Sequence, residues 1–266
     1  MEIQSIKLIC FSPTGTTKKI AQSIANGLDI EQVNICDITK PKARKKSSEI
    51  NKNELLIIAV PVYMERVPAL ISSYLNNLKA LQTPAVGIVV YGNRTYGNAL
   101  LELKDILTAI GCTPIAGGAF IGEHSFSSNE FPIASSRPNS VDLEFAKTFG
   151  KELKKKLLAV DSVDDLPEVK IPGSYPYGGI TELWSVDFIA ISEKCTQQGI
   201  CAEVCPTGAI HFRDTRIINI EKCITCCACI KHCPENARTI KESDVKKAAI
   251  RLNALFQTPK APEIFY

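Results

Sequence analysis

Two runs of cysteine near the C-terminal end carry the clearest chemistry in this 266-residue sequence. The second run has the order Cys-x2-Cys-x2-Cys-x3-Cys-Pro, with Cys223, Cys226, Cys229 and Cys233. The first run has the same order with one cysteine fewer, namely Cys195, Cys201 and Cys205. Three closely spaced thiolates can hold three corners of an iron–sulfur cubane, and bacterial [4Fe–4S] proteins use this spacing. The sequence therefore predicts two neighbouring iron–sulfur sites.

Gln198 leaves the first run incomplete, because it stands where the pattern requires a cysteine. An amide is a hard, neutral ligand, whereas iron in these clusters prefers soft thiolates. Three states follow: a [3Fe–4S] cluster, a [4Fe–4S] cluster with water or the Gln198 oxygen on one iron, or an empty site. We favour the first slightly and the last least. Four cysteines also suit structural zinc, but the repeated order of the two runs disfavours that alternative.

The eleven cysteines also bear on the environment of the protein. Clustered Cys-x2-Cys spacing and an N-terminus unlike a signal peptide favour metal ligation in a reducing cytosol over a disulfide scaffold. Cys227 adjoins a predicted ligand and is expected to point away from the cluster. The cysteines outside the two runs are expected to be small buried residues; they are Cys10, Cys36 and Cys112.

Composition limits the class of protein. A hydrophobic content of 45% and a charged content of 22% are typical of a soluble globular chain. No stretch reaches the roughly 18 apolar residues of a membrane span. The net charge of +3 is too small to indicate a nucleic-acid partner. We expect a cytoplasmic protein without a membrane span.

The N-terminal segment predicts a phosphate-binding loop. Residues 3–10 resemble a strand, residues 18–25 have helical spacing, and the hydroxyl-rich loop Ser12 to Thr17 joins them. Backbone N–H groups at a helix N-terminus favour an anion, and hydroxyls add donors. The loop lacks the lysine motif of nucleotide triphosphatases, so a monophosphate fits better. Its alternative interpretation is a simple Ser/Thr-rich helix cap.

Strands and helices alternate through the first 158 residues. Further strands are predicted at 33–36, 55–60, 85–91 and 115–121, the last interrupted by two glycines. Helices are predicted at 68–78, 98–110 and 139–158. This alternation, with continuous apolar runs in the central strands, predicts an α/β fold with a doubly wound parallel sheet of five strands.

Ligands of such sheets lie beyond the carboxyl ends of the strands. The segments there are 61–68, 91–97 and 122–126, and they contain aromatic residues, glycines and arginines. That combination suits a flat aromatic ring held by stacking and backbone hydrogen bonds. The tyrosines in these segments are equally compatible with packing at strand ends. His124 is interpreted as a hydrogen-bonded loop residue rather than a catalytic acid.

These motifs together resemble a known family. The loop Ser12 to Thr17 is similar to the FMN phosphate loop of flavodoxins. The later loops, the cysteine runs and the tail 262–266 resemble the flavodoxin–ferredoxin fusion family of anaerobic microbes, across nearly the whole chain. The resemblance implies FMN, with its phosphate on Ser12, Thr14, Gly15, Thr16 and Thr17. It places the flavin ring among Pro61, Val62, Tyr63, Met64, Tyr91, Gly92, Asn93, Arg94, Tyr96 and Gly97.

The resemblance also implies a cluster assignment, because the fourth cysteine of each run binds the other cluster in two-cluster ferredoxins. One [4Fe–4S] cluster would take Cys205, Cys223, Cys226 and Cys229. The other cluster, [3Fe–4S] or a modified [4Fe–4S], would take Cys195, Cys201 and Cys233, with Gln198 at the vacant position.

Four segments follow from this interpretation. They are a flavodoxin-like domain (1–158), a linker (159–184), a small α+β bacterial-type ferredoxin domain (185–240), and a C-terminal helix and tail (241–266). Tyr175, Tyr177 and Trp184 predict that the linker packs on the first domain. The C-terminal helix is expected to pack on its own chain, with a homodimer as the alternative.

Electron transfer is the function that these features favour. A flavin handles one or two electrons and each cluster handles one, so the chain would connect such carriers and exchange electrons with a redox protein. The alternatives are a flavin-dependent reductase of a small substrate and a redox-sensing protein. The basic run 42–46 is interpreted as a solvated loop, with docking of an acidic partner as the alternative.

Overall fold

The computed structural model describes residues 1–46, 48–51, 53–180 and 185–266. Its strands are β1 (Ser5–Cys10), β2 (Gln32–Asp37), β3 (Glu54–Pro61), β4 (Thr83–Tyr91), β5 (Cys112–Ile121), β6 (Ile189–Ile191), β7 (Arg238–Ile240) and β8 (Glu263–Phe265). Its α-helices are α1 (Thr16–Leu28), α2 (Ala69–Asn76), α3 (Ala99–Ala109), α4 (Ser140–Leu158), α5 (Ile200–Glu203), α6 (Ala228–Lys231) and α7 (Asp244–Leu255).

The main sheet has the strand order β2-β1-β3-β4-β5-β8. Its first five strands are parallel, which confirms the predicted doubly wound sheet. Helices α1 and α4 cover one face, and α2 and α3 cover the other. All residues of β4 are buried, as is β3 up to Val60, because helices exclude water from both faces of these central strands.

A sixth strand comes from the tail of the chain. Strand β8 pairs antiparallel with β5, and Gly118 lies opposite Ile264. The sequence analysis did not predict this strand, because three residues carry too little periodicity to indicate one. The two glycines expected to interrupt β5 lie inside it. A Cβ at Gly117 would lie 2.8 Å from Cδ1 of Ile171, so a glycine gives the linker room to pack.

Two glycines also bring α1 and α4 together. A Cβ at Gly27 would lie 1.9 Å from the carbonyl oxygen of Lys147, and one at Gly150 would lie 2.1 Å from that of Ile24. The helices therefore touch through their backbones. This close contact fixes α1, whose N-terminus faces the loop that precedes it.

The linker follows helix α3 in the part of the chain that the structure describes. Tyr177 Oη donates to Asp105 at 2.6 Å, and Ser174 N–H donates to the side chain of Asn98 at 3.1 Å. Ile180 N–H donates to the Met64 carbonyl at 3.1 Å. The linker thus packs on the first domain as expected; Trp184, which contributed to that expectation, lies outside the described residues.

The cysteine runs lie in a small region built on the antiparallel pair β6–β7. Phe188, Ile210 and Val245 form its apolar centre together with several of the cysteines. Helices α5 and α6 each carry one cysteine, Cys201 and Cys229. Helix α7 begins in this region, where Ser243 Oγ accepts from Lys246 N–H, and β8 ends on the main sheet.

Candidate functional site

A cavity of about 500 Å³ lies at the carboxyl ends of the parallel strands. One wall is formed by the loops after β1, β3, β4 and β5, and the opposite wall by α7. Of the residues predicted for FMN, the cavity is lined by Thr14, Thr16, Thr17, Pro61, Val62, Tyr63, Met64, Tyr91, Gly92 and Arg94. The structure therefore brings most of these residues to one place.

The loop after β1 is arranged as an anion site. Gly15 is the residue before α1 and has φ +86°, a conformation that favours glycine. Gly15 has no side chain with which to cap the first turn of α1, so N–H groups of Thr16 and Thr17 face the loop. The N–H of Lys18, in the same turn, already donates to Ser12 Oγ at 3.0 Å. Ser12 supports the loop and lines a separate groove.

The loop after β3 forms a tight turn. Tyr63 and Arg66 exchange two backbone hydrogen bonds of 3.0 Å, and Met64 has φ +50° between them. Arg66 pairs with the mostly buried Glu102 at 2.8 Å, and Glu102 also accepts from Val67 N–H at 2.9 Å. A paired, hydrogen-bonded carboxylate of this kind holds the turn rigid. The backbone of the turn is thereby fixed at the cavity.

Gly92 and His124 lie against each other on the wall of the large cavity. A Cβ at Gly92 would lie 2.3 Å from Cδ2 of His124, so only glycine leaves room for the imidazole ring. The Nδ1 atom accepts from Phe126 N–H at 3.1 Å, and the two rings meet edge to face at 4.9 Å. Burial, and after it the charges of Lys231 and Arg94, lower the pKa of His124 to about 4. The ring is therefore neutral near pH 7, with its proton on Nε2.

Asn93 forms hydrogen bonds with the C-terminal tail of the chain. It is buried, and its Nδ2 donates to the carbonyl oxygens of Phe256 at 2.8 Å and Thr258 at 3.0 Å. Its Oδ1 accepts from Lys260 N–H at 2.9 Å. The side chain that the resemblance assigns to the flavin ring thus holds the segment between α7 and β8.

Tyr96 and Gly97 border a second cavity on the far side of the same loop. Tyr96 meets Tyr91 edge to face at 5.5 Å, and its hydroxyl donates to Glu263 at 2.9 Å. Burial raises the pKa of Tyr96, and the hydrogen bond to Glu263 raises it further. Tyr96 thus packs on Tyr91 and joins the loop after β4 to β8.

Helix α7 supplies cavity residues that sequence reasoning missed. They recur at intervals of three and four along one helix face and end with the residue just after the helix: Asp244, Lys247, Ala248, Arg251, Leu252 and Phe256. Val245 and Ala249, on an adjacent face, are buried. The helix packs on its own chain, as the sequence analysis favoured. Its amphipathic spacing was visible in the sequence, but nothing there indicated which surface it would cover.

Three cysteines of the second run and one of the first surround a small cavity of their own. Cys205, Cys223, Cys226 and Cys229 all line it. Burial raises the pKa of Cys226, and the neighbouring thiols of Cys229, Cys205 and Cys223 raise it further. Within the described ranges, no three His, Cys, Asp or Glu side chains meet closely enough for a single metal ion. A cubane spreads its ligands over separate irons, so the absence of a single-ion site does not bear on a cluster.

Cys227 also lines this small cavity, although it was expected to point away. Its backbone has φ +57°, and its Sγ donates to the Thr225 carbonyl at 3.6 Å. Among the cysteines outside the runs, Cys10 and Cys112 are buried, which raises the pKa of each to about 12. Cys36 is only half-buried, with its Sγ 3.5 Å from the hydroxyl of Tyr74.

The other predicted cluster site, with Cys195, Cys201, Cys233 and Gln198, is more open to solvent. Cys201 is buried, whereas Cys195 and Cys233 are half-buried. Gln198 is exposed, and its Nε2 donates to Oε1 of Glu235 at 3.0 Å. Glu235 follows Cys233 by two residues. The amide nitrogen of Gln198 is therefore occupied by a carboxylate from the loop that carries another predicted ligand.

The large cavity and the second cysteine run adjoin each other. Ile224 and Thr225, between Cys223 and Cys226, line the large cavity. Burial raises the pKa of Tyr63, and Cys226 and Cys227 raise it further. The loop that carries two predicted cluster ligands therefore forms part of the wall of the predicted flavin site.

No helix among the described residues is both long and apolar enough to cross a membrane.

Residues 8–99 match a family described as the flavodoxin domain. An uncharacterized ferredoxin of Methanocaldococcus jannaschii is 33% identical over 86 residues, which cover 32% of this chain and 57% of that protein. A probable iron–sulfur subunit of the Frd operon in Proteus vulgaris is 30% identical over 73 residues, which cover 27% of this chain and 46% of that protein. The chain spans 26 to 57% of the length of the curated relatives it matches.

Solved flavodoxin structures are also similar to the chain. A flavodoxin from the domain Archaea has a TM-score of 0.41 at 15% identity and covers 58% of this chain and 99% of its own. A Fusobacterium nucleatum flavodoxin bound to flavin mononucleotide has a TM-score of 0.39 at 13% identity, with the same two coverages. From the family match and the curated relatives, this chain carries a flavodoxin domain followed by a region related to ferredoxins and iron–sulfur subunits, as in a flavodoxin–ferredoxin fusion.

Proposed function

We propose that this chain transfers electrons between FMN in the large cavity and iron–sulfur clusters in the two cysteine runs. The flavodoxin domain and the iron–sulfur relatives support an electron-transfer protein of this kind. When bound, FMN exchanges one or two electrons and each cluster exchanges one. The chain contributes by placing these groups close together and by shielding them from water.

The donor set of the large cavity fits FMN. The N–H groups of the first turn of α1 and the hydroxyls of Thr14, Thr16 and Thr17 would bind the phosphate. The turn 61–64 and the loop 91–94 would hold the flat ring between backbone and aromatic side chains. His124 would present only an Nε2 proton toward the cavity. Helix α7 would restrict access of water to the ring.

The cysteine sites are proposed as the sequence implies. The four thiols around the small cavity would hold a [4Fe–4S] cluster. Cys195, Cys201 and Cys233 would hold a [3Fe–4S] cluster, since Gln198 offers no thiolate to a fourth iron. Two backbone N–H groups, of Ala209 and Ala237, donate to the sulfurs of Cys205 and Cys233 at 3.3 Å. Such bonds help to set the potential of a cluster.

The segments proposed are a flavodoxin-like domain (1–158), a linker (159–184), a ferredoxin domain (185–240) and a C-terminal segment (241–266). One observation carries the functional proposal: the loop 224–225, between two cluster ligands, lines the large cavity. Electrons would therefore pass between the flavin site and the [4Fe–4S] site inside one chain. The more exposed [3Fe–4S] site would face external partners.

Anaerobic preparation with quantified iron, sulfide and flavin tests this proposal. We expect one FMN and about seven irons per chain, four and three for the two clusters, with an EPR signal from the oxidised [3Fe–4S] centre. Reduction by a low-potential one-electron donor should bleach both chromophores. Turnover of a small substrate would favour a reductase, and redox-dependent partner binding without electron transfer would favour a sensor. Absence of flavin or of clusters after reconstitution would overturn the proposal.

A further inference from the structure

A groove of about 620 Å³ lies between the flavodoxin domain and the cysteine runs. It is separate from the large cavity. From the first domain it is lined by Asp37, Lys40, Lys42 and Lys46, and from the cysteine region by Val204 and His232. Lys40, Lys42 and Lys46 are exposed. The groove thus carries exposed lysines and crosses from one part of the molecule to the other.

Positive charge dominates this groove. Its acidic neighbours are already paired, Asp37 with Lys18 at 3.1 Å and Glu203 with Lys40 at 2.8 Å. In the part of the chain that the structure describes, Lys42 and Lys46 form no ion pair. Uncompensated lysines on a concave surface attract an anionic partner and accelerate its encounter.

The groove reaches both proposed cluster sites. Val204 precedes Cys205, a proposed ligand of the [4Fe–4S] cluster, and His232 precedes Cys233, a proposed ligand of the other cluster. A partner seated here would therefore approach ligand loops of both clusters.

The basic run 42–46 is held against the cysteine region by hydrogen bonds. Arg44 donates to the carbonyl oxygens of Ile38 at 2.8 Å and Thr39 at 2.7 Å, and also to that of Pro206. On the other side of the groove, Nε2 of His232 is hydrogen bonded to the Pro13 carbonyl at 3.0 Å. A surface fixed from both sides is preorganised for docking, which lowers the entropy cost of binding.

We propose that this groove docks a small acidic one-electron carrier protein. The proposal rests on the proposed function, because it gives the cysteine sites their external partner. Each encounter passes one electron: the carrier is oxidised by one electron and the chain is reduced by one, with no bond or group transferred. The lysines would act by steering and orienting the carrier.

The test uses an acidic plant-type ferredoxin as the probe and the double variant Lys42→Glu/Lys46→Glu of the full chain. We expect the variant to bind the probe about tenfold more slowly at low salt, and this difference to vanish at high salt. Binding is measured by surface plasmon resonance and electron transfer by stopped flow. The final extent of reduction by dithionite should be unchanged in the variant, because the lysines affect the encounter with the carrier and not the groups that accept electrons.

A matched control carries the same charge change elsewhere. Lys151→Glu/Lys155→Glu alters exposed lysines one turn apart on α4, near the end of α1 that lies away from the groove. Equal slowing in both variants would overturn the proposal in favour of a net-charge effect, as would unchanged binding in the first. Inhibition by inorganic phosphate beyond that of chloride at equal ionic strength would assign the groove to a small anion instead. Failure of dithionite to reduce the wild-type chain would count against the proposed function, while the binding measurement would still decide the docking site.

Discussion

Gln198 donates a hydrogen bond of 3.0 Å to Glu235 beside the incomplete cysteine run. Both side chains are exposed, so little packing opposes a substitution there. We predict that Gln198→Cys supplies the missing thiolate. The oxidised protein should lose its [3Fe–4S] EPR signal and gain about one iron per chain. Iron analysis and EPR of the oxidised protein check this.

Gln198→Ala is the control for that substitution, because it removes the same amide and adds no thiolate. It should keep the EPR signal of the wild-type chain. A wild-type protein with no such signal, or a signal that survives in the cysteine variant, would show that Gln198 does not determine the cluster.

His124 makes a pH dependence predictable. Its folded-state pKa is lowered to about 4 from 6.5, first by burial and then by Lys231 and Arg94. Between these values the unfolded chain binds more protons, so stability falls as the pH drops from about 6.5 to 4. The slope that one group contributes is at most about 1.4 kcal/mol per pH unit. His124→Gln should flatten this part of the curve in urea unfolding of the reconstituted protein.

The exposed His211 offers a matched control, since its Nδ1 likewise accepts one backbone N–H, that of Asp214 at 3.1 Å. His211→Gln should leave the acid slope in place. If both variants have the slope of the wild-type chain, other groups dominate the acid response and the buried state of His124 does not matter for it.

At the scale of elements, the C-terminal segment joins the two parts of the molecule. Helix α7 starts among the cysteine runs, crosses the large cavity and ends where Asn93 holds the chain that leads to β8. Asn93 makes three hydrogen bonds to this segment and is itself buried. This side chain thus contributes to how firmly the helix covers the cavity.

We predict that Asn93→Ala loosens this cover. Removing the amide leaves two carbonyls and one N–H without their partner, at a cost of about 1 to 3 kcal/mol. Hydrogen exchange in residues 244–265 should become faster, and FMN should dissociate faster. Asn77→Ala, at an exposed position after α2, is the control and should change neither rate. Unchanged exchange in the Asn93 variant would mean that other contacts hold the segment.

The sequence predicts best those elements whose own hydrophobic pattern depends directly on how deeply they are buried. Strands β3 and β4 are continuous apolar runs because both their faces are buried, and that condition is visible locally. Strand β8 and helix α7 pack on parts of the molecule that are distant in sequence. Their own residues do not indicate which surface they pack on. For the same reason Asn93 was assigned to the flavin ring, whereas its partners lie more than 160 residues along the chain.

At the scale of the whole molecule, the cysteine region is held on the flavodoxin domain by the linker, by α7 and by the hydrogen bonds on both sides of the groove. Lys231 pairs with Glu123 and donates to the Ser127 carbonyl at 2.7 Å, which joins α6 to the loop after β5. The loop 224–225 reaches the large cavity from the same side. The cysteine spacing predicted ligands, and the fold adds which predicted cluster site lies next to the predicted flavin site.

This arrangement predicts that electrons equilibrate between the flavin and cluster sites within one chain. The rate should stay constant when the protein concentration changes about tenfold, because a unimolecular step has no encounter to wait for, unlike association between chains. Rapid mixing with a limiting amount of a low-potential reductant, followed at flavin and cluster wavelengths, measures it. The Lys42→Glu/Lys46→Glu variant is a suitable control, since it alters the groove and leaves the loop 224–225 intact. A rate that rises in proportion to concentration would show that electrons pass between chains, and that the contact between cluster loop and cavity is not their route.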